Sequence, residues 1–279
     1  MKKFGLIIFA FWISSCSHLF YYPDTIDRSP RKIITPYLKE SLWAGPYGKV
    51  SAWTFQKNVK GVSHRKTHLV FFHGNAHNIT SHFAALYWIL DEGYSYTIFD
   101  YPGYGLSEGE ASQKSTTETG RFVIDEIRRQ NPDDKILVFG QSLGGNIAIY
   151  TAATYPEREK ICGVVVDSTF LSYKTVARRA LSRSWLTWLF QPLAYVLVSD
   201  SYSAKQTIQK ISPTPLLIYH GQNDPVVDYV NGTDLYEAAS EPKQLIPIKS
   251  YNHLESFFGP EKEQHKRTLL KFIEKNCEI

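Results

Sequence analysis

The sequence predicts an α/β protein built on a doubly wound, mostly parallel sheet. Two patterns carry that expectation. From Val50 onward, short and continuously apolar runs alternate with helical stretches, as happens when strands are covered on both faces by helices. In addition, the apolar run Ile136–Phe139 passes through Gly140-Gln141-Ser142-Leu143-Gly144-Gly145 straight into a helix-like run from Asn146. Such direct strand-to-helix joints are what these sheets are assembled from.

The elements follow in order. Lys2 and Lys3 precede the apolar segment Leu6–Ile13, which is shorter than the roughly 20 residues needed to cross a bilayer. Ile13-Ser14-Ser15-Cys16 then sets small residues before a cysteine and resembles a bacterial lipobox. That resemblance implies cleavage before Cys16 and acylation of its thiol; the alternative is an ordinary signal peptide with an incidental cysteine. Ser17 in place of Asp implies, for a Gram-negative lipoprotein, a cell-envelope protein anchored in the outer membrane and facing the periplasm. Loss of residues 1–15 takes the formal charge from +4 to +2. Residues 16–45 hold many aromatics, Pro and Ser without a sustained period. They read as a tether that partly wraps the domain, with Tyr21-Tyr22-Pro23 as its packing anchor. The main domain spans 46–279.

Within it, strands are expected at Val50–Phe55, Leu69–Phe72, Tyr96–Phe99, Ile136–Phe139, Val164–Val166, Leu216–Tyr219 and Leu245–Ile248. Helices are expected at Ile79–Asp91, Ser115–Arg129, Asn146–Thr154, Thr233–Ala239 and Lys262–Lys275. The stretch between Asp167 and Leu216 is longer than one crossover needs. In it Leu181, Trp185, Trp188 and Leu189 keep helical spacing until Pro192, with Arg178 near that face and Arg179 and Arg183 away from it. It reads as a helical cap inserted at about 170–212. The expectation is that its aromatics pack on the domain beneath; the alternative is that they line an acyl pocket or lie on a membrane.

A chain of 279 residues buries a substantial core in one domain. At 43% hydrophobic and 21% charged it has the composition of a soluble globular protein. A net charge of +4, evenly spread, argues against nucleic acid as a partner. Nothing repeats. Cys162 and Cys277 remain once Cys16 is set aside. An oxidising compartment would permit them to pair, but spacing does not show that they meet, and two unpaired thiols are expected.

The chemistry centres on Ser142. Flanking glycines give a sharp turn the room it needs and push the hydroxyl out above the sheet. A serine hydroxyl is a poor nucleophile at neutral pH without a base to take its proton and a third group to orient that base. Asp224, in His220-Gly221-Gln222-Asn223-Asp224-Pro225, follows one strand, and His253 follows the last. Ser142, Asp224 and His253 thus stand in the order nucleophile, acid, base at three strand ends on one side of the sheet. Asp167, closing Val166-Asp167, is the rival acid. Two backbone donors for a developing oxyanion are expected from Leu143 and from Asn75 in His73-Gly74-Asn75-Ala76-His77-Asn78, with Ala76 the alternative to Asn75. His64, His68, His73, His77 and His82 do not share one helix face, and no Asp, Glu or Cys joins them. No metal site is expected there, nor any cofactor. Asp100 and Tyr101 are expected to stabilise the turn after their strand.

The segments FFHGNAHN, FDYPGYGLSEG, GQSLGG, DSTF, HGQNDPVV and NHLESF, in this order, resemble the serine α/β-hydrolases of the ABHD12/13/17-like and Bem46-like group. The resemblance implies an α/β-hydrolase fold and a lipid-directed hydrolase: a lysophospholipid or monoacylglycerol lipase, or a protein depalmitoylase. It also implies Ser142 as nucleophile, Asp224 as acid, His253 as base and Asn75 in the oxyanion loop. His77 departs from the group's usual glycine. The expected function is hydrolysis of acyl esters or thioesters through an acyl-enzyme, with an acylated small molecule or lipid as substrate and the membrane as partner through Cys16. A peptidase of the same fold and a non-catalytic lipoprotein binding module are the alternatives.

Overall fold

The computed structural model describes residues 20–61, 65–249 and 252–278; Cys16, the segment 1–15 and His64 lie outside them. Among the described residues eight strands form one sheet: β1 Leu38–Gly45, β2 Gly48–Phe55, β3 Thr67–Phe72, β4 Ser95–Phe99, β5 Lys135–Gln141, β6 Ile161–Asp167, β7 Leu216–Gly221 and β8 Lys243–Ile248. Their order is β1-β2-β4-β3-β5-β6-β7-β8. From β4 to β8 the neighbours are parallel, whereas β1 pairs with β2, and β2 with β4, antiparallel. The helices are α1 Arg31–Ile34, α2 Ile79–His82, α3 Gln113–Gln130, α4 Leu143–Ala153, α5 Tyr173–Ser182, α6 Gln191–Leu197, α7 Val230–Ala238 and α8 Lys262–Cys277.

Alternation along the central strands divides the core into two layers. Val70, Phe72, Val138, Val164, Val166 and Ile218 face α3, α4 and α7. Leu69, Phe71, Leu137, Phe139, Val165 and Leu217 face α8 and the segment 79–90. Strands β3 to β7 are therefore buried on both faces, which is why they read as unbroken apolar runs.

Four expectations are corrected. The tether ends earlier than residue 45, because Leu38–Gly45 is the outermost strand. Its outward residues are polar or exposed, Leu42 among them, so it lacks the apolar continuity of the strands it borders. The expected helix at 79–91 is α2 followed by tighter windings of three residues per turn at Phe83–Ala85 and Tyr87–Glu92. Phe83, Leu86 and Ile89 are all buried, and a three-residue spacing is brought to one side by a winding of three residues per turn. Cys162 and Cys277 are joined in a disulfide that ties the end of α8 to β6, rather than standing as two thiols. The fourth correction concerns the cap. Its segment forms α5, a tight turn at Trp188–Phe190 and α6. Pro192 sits in the first turn of α6, where proline's missing N–H has no helical partner to lose. Trp185, Leu186, Trp188, Leu189 and Phe190 are exposed instead of packed on the domain.

Residues 20–28 do wrap the domain. Tyr21 is buried. Tyr22 N–H donates to Asn75 Oδ1 at 2.9 Å and to Tyr104 Oη at 3.0 Å, and Arg28 N–H donates to Thr80 Oγ1 at 3.0 Å.

Candidate active site

Ser142 links β5 to α4 at φ 51° and ψ −121°, a left-handed conformation unusual for a residue with a side chain and held only where its surroundings over-determine it. Those surroundings are visible. Ser142 N–H donates to Asp167 O at 2.9 Å, and Gly145 N–H donates to Ser142 O at 3.0 Å. Thr169 Oγ1 also donates to Ser142 O, at 2.6 Å. A Cβ on Gly144 would drive into the carbonyl oxygens of Phe72 and His73. The first turn of α4 thus lies directly against the end of β3.

That contact brings the β3 loop to the serine: a Cβ on Gly74 would stand 3.6 Å from Ser142 Cβ. Ala76 N–H donates to Asn75 Oδ1 at 2.8 Å. Leu143 N–H, in the first turn of α4, has no helical acceptor of its own. Ala76 and His77 both take positive φ, 59° and 57°, so His77 adopts the backbone that a glycine would reach more readily. Tyr101 Oη donates to His73 O at 2.9 Å, and Asp100 Oδ1 accepts from Ile79 N–H at 2.9 Å. Both brace the segment that follows β3 through these bonds; they were expected at the turn after their own strand.

Asp224 and His253 meet. His253 Nδ1–H donates to Asp224 Oδ2 at 2.6 Å, because a carboxylate can only accept. The other carboxylate oxygen accepts from Val226 N–H at 2.8 Å and Val227 N–H at 2.9 Å. Burial alone would raise the Asp224 pKa, but the bond and charge of His253 and the two amides outweigh it and hold the carboxyl below its usual value. The bond fixes the tautomer, leaving Nε2 as the nitrogen able to receive a proton. Nε2 is buried and carries no hydrogen bond; the Ser142–His253 bond is not formed in this structure. Such bonds are often long until substrate is bound.

Asp167 does not bind His253. Its Oδ1 accepts from Ser256 Oγ at 2.6 Å and its Oδ2 from Gln141 Nε2 at 3.1 Å. Burial raises its pKa against the lowering from those bonds. Asp167 therefore ties the strand that ends at Ser142 to the loop that carries His253. Ser256 and Thr169 were missed as site residues, although both stand inside the segments NHLESF and DSTF; their partners come from distant parts of the chain, so spacing gave no signal. Three of the histidines weighed for a metal are engaged by protein: His68 with Thr97 and Ser95, His73 with Gly74 O, and His82 with Ala76 O. Among the described residues no three His, Cys, Asp or Glu cluster to hold a metal.

Residues 67–192 match the family model described as the alpha/beta hydrolase fold. The chain is 31% identical over 268 residues to the uncharacterized protein YfhR of Salmonella typhimurium, covering 91% of this chain and 87% of that protein. It is 28% identical over 240 residues to the lysophosphatidylserine lipase ABHD12 of Gallus gallus, covering 79% of this chain and 61% of that one. The solved structure of the Pyrococcus furiosus esterase Pf2001 has a TM-score of 0.72 at 18% identity, covering 92% of this chain and 98% of that chain; at that identity the likeness is one of fold.

Proposed function

The chain belongs to the alpha/beta hydrolase family, and on that premise we propose that it is a serine hydrolase of acyl esters or thioesters. The observation that carries the reading is the 2.6 Å His253–Asp224 bond, formed at the sheet edge where Ser142 is held at its strained turn. Ser142 Oγ attacks the acyl carbonyl while His253 Nε2 takes its proton, and Asp224 stabilises the imidazolium that forms. The amides of Leu143 and Asn75 bind the oxyanion. His253 then gives the proton to the leaving alcohol or thiol, and an acyl-serine remains. Water, deprotonated by His253, releases the acid and restores the serine. No metal or organic cofactor has a part in these steps.

The likeness to a protein named as a lysophosphatidylserine lipase supports a lipid-like acyl substrate. The lipobox-like Ile13-Ser14-Ser15-Cys16 supports export and acylation at Cys16, with anchorage in the outer membrane of a Gram-negative envelope. The Cys162–Cys277 disulfide supports an oxidising compartment. The test is a hydrolysis profile over p-nitrophenyl acyl esters, monoacylglycerols, lysophospholipids, acyl-thioesters and peptide amides, run on the wild type and Ser142→Ala. Ester or thioester turnover that vanishes in the variant is expected. Preference for peptide amides, or undiminished turnover in Ser142→Ala, refutes the reading.

A further inference from the structure

We propose that the cap hairpin is a membrane-docking surface, whose exposed aromatic and aliphatic side chains sit in the interface of an anionic phospholipid bilayer. The proposal rests on the reading that Cys16 is acylated, and adds to it an orientation. Trp185, Leu186, Trp188, Leu189, Phe190 and Val196 stand in solvent, Trp185 at 84% and Leu189 at 75% exposure. Contiguous apolar surface of that kind marks an interaction site. The composition says with what. From Tyr173 to Leu197 the cap carries Lys174, Arg178, Arg179 and Arg183 and not one Asp or Glu, the pairing of cations with Trp, Phe and Leu found in interfacial helices. Arg179 and Arg183 are engaged by Asp234 and Asp228. Arg178 instead borders a shallow apolar groove of about 430 Å³ with Trp188, Leu189, Pro192 and Tyr195.

Chain length selects the bilayer over a protein partner. Phe20 packs edge-on against Tyr173, ring centroids 5.2 Å apart, at the first residue of α5. Four residue steps separate Cys16 from Phe20, and fully extended they reach about 14 Å. A bilayer that holds the acyl chains of Cys16 must lie within that distance of the base of the cap, too little to admit a folded partner between them. The far end of the cap reaches the acid loop, where Arg183 donates to Pro225 O at 2.8 Å. Docking therefore also sets the rim of the active site on the lipid surface.

The test uses the full chain purified from a Gram-negative host and reconstituted in phosphatidylethanolamine–phosphatidylglycerol vesicles with brominated or ordinary acyl chains. Brominated lipid is expected to quench at least a third of the wild-type tryptophan emission, and less than half as much in W185F/W188F, which keeps the apolar surface. Equal quenching in both proteins overturns the proposal. Mass spectrometry of Cys16 reads the anchor separately: an acylated chain with unquenched cap tryptophans defeats the docking surface alone. Quenching that persists in full-length Cys16→Ser, and falls by more than half when W185F/W188F is added to it, supports the docking surface without the anchor. The second arm is L189D/V196D, expected to lose at least tenfold in hydrolysis of vesicle-borne lysophospholipid while p-nitrophenyl butyrate turnover stays within twofold. No selective loss, or a stable dimer in light scattering that shields the cap, overturns it.

Discussion

Ser142 holds a backbone conformation that a residue with a side chain adopts only when its neighbours leave no alternative. Three hydrogen bonds supply that constraint, together with Gly140 and Gly144, where an added Cβ would meet backbone at under 3 Å. Those glycines made the serine legible in the sequence. Asp224 was less so, since Asp167 also ends a strand at the same edge. The structure gives the two carboxylates different work: Asp224 accepts from His253 and two amides, and Asp167 accepts from Ser256 and Gln141. Asp224→Asn should therefore lower kcat on a soluble ester by about 10⁴, the scale found when the acid of such a triad is neutralised. Asp167→Asn keeps an acceptor for Ser256 and should stay within about tenfold. Comparable losses in the two variants would show that the acid has been misassigned.

At the scale of elements, the turn after β4 and the end of α8 carry the stability predictions. Burial pushes the Asp100 carboxyl up to about 7, against the lowering by the Ile79 and Leu106 amides. The unfolded value is 3.8, so between the two the folded chain holds a proton that the unfolded chain has released. Stability from this group is greatest below the unfolded value, falls as pH rises to about 7 and then levels, a change of about 4 kcal/mol. Melting curves at pH 5 and pH 8 should show the wild type losing ground to Asp100→Asn as pH rises; a constant gap would contradict the assignment. The disulfide between β6 and α8 spans 115 residues of sequence. Its reduction should lower unfolding free energy by about 2–5 kcal/mol in denaturant titrations with and without reductant; an unchanged midpoint would contradict it. That pairing was not legible, because Cys277 reaches β6 only after α8 has packed across the sheet. The interior strands were legible for the opposite reason, since burial on both faces is written locally as unbroken apolar sequence. The edge strand β1 and the tight turns after α2 depend on partners that the local pattern does not record.

For the whole molecule, the sheet order brings the ends of β3, β5, β7 and β8 to one edge, and each delivers one part of the site: the Gly74–Ala76 loop, Ser142, Asp224 and His253. That Ser142, Asp224 and His253 lie on one side of the sheet was readable along the chain because a parallel sheet returns every strand end to the same side. What faces the cap from outside was not, since an apolar helix face reads alike whether a core or a bilayer covers it. The account depends on His253 serving as the base for Ser142 in one proton relay. Labelling with a fluorophosphonate probe measures that directly, since the probe reacts with a serine made nucleophilic by its base. The wild type should take up one adduct, on Ser142; Ser142→Ala should take up none, and His253→Ala should react at least 100-fold more slowly. An adduct that survives Ser142→Ala, or full-rate labelling in His253→Ala, would contradict it.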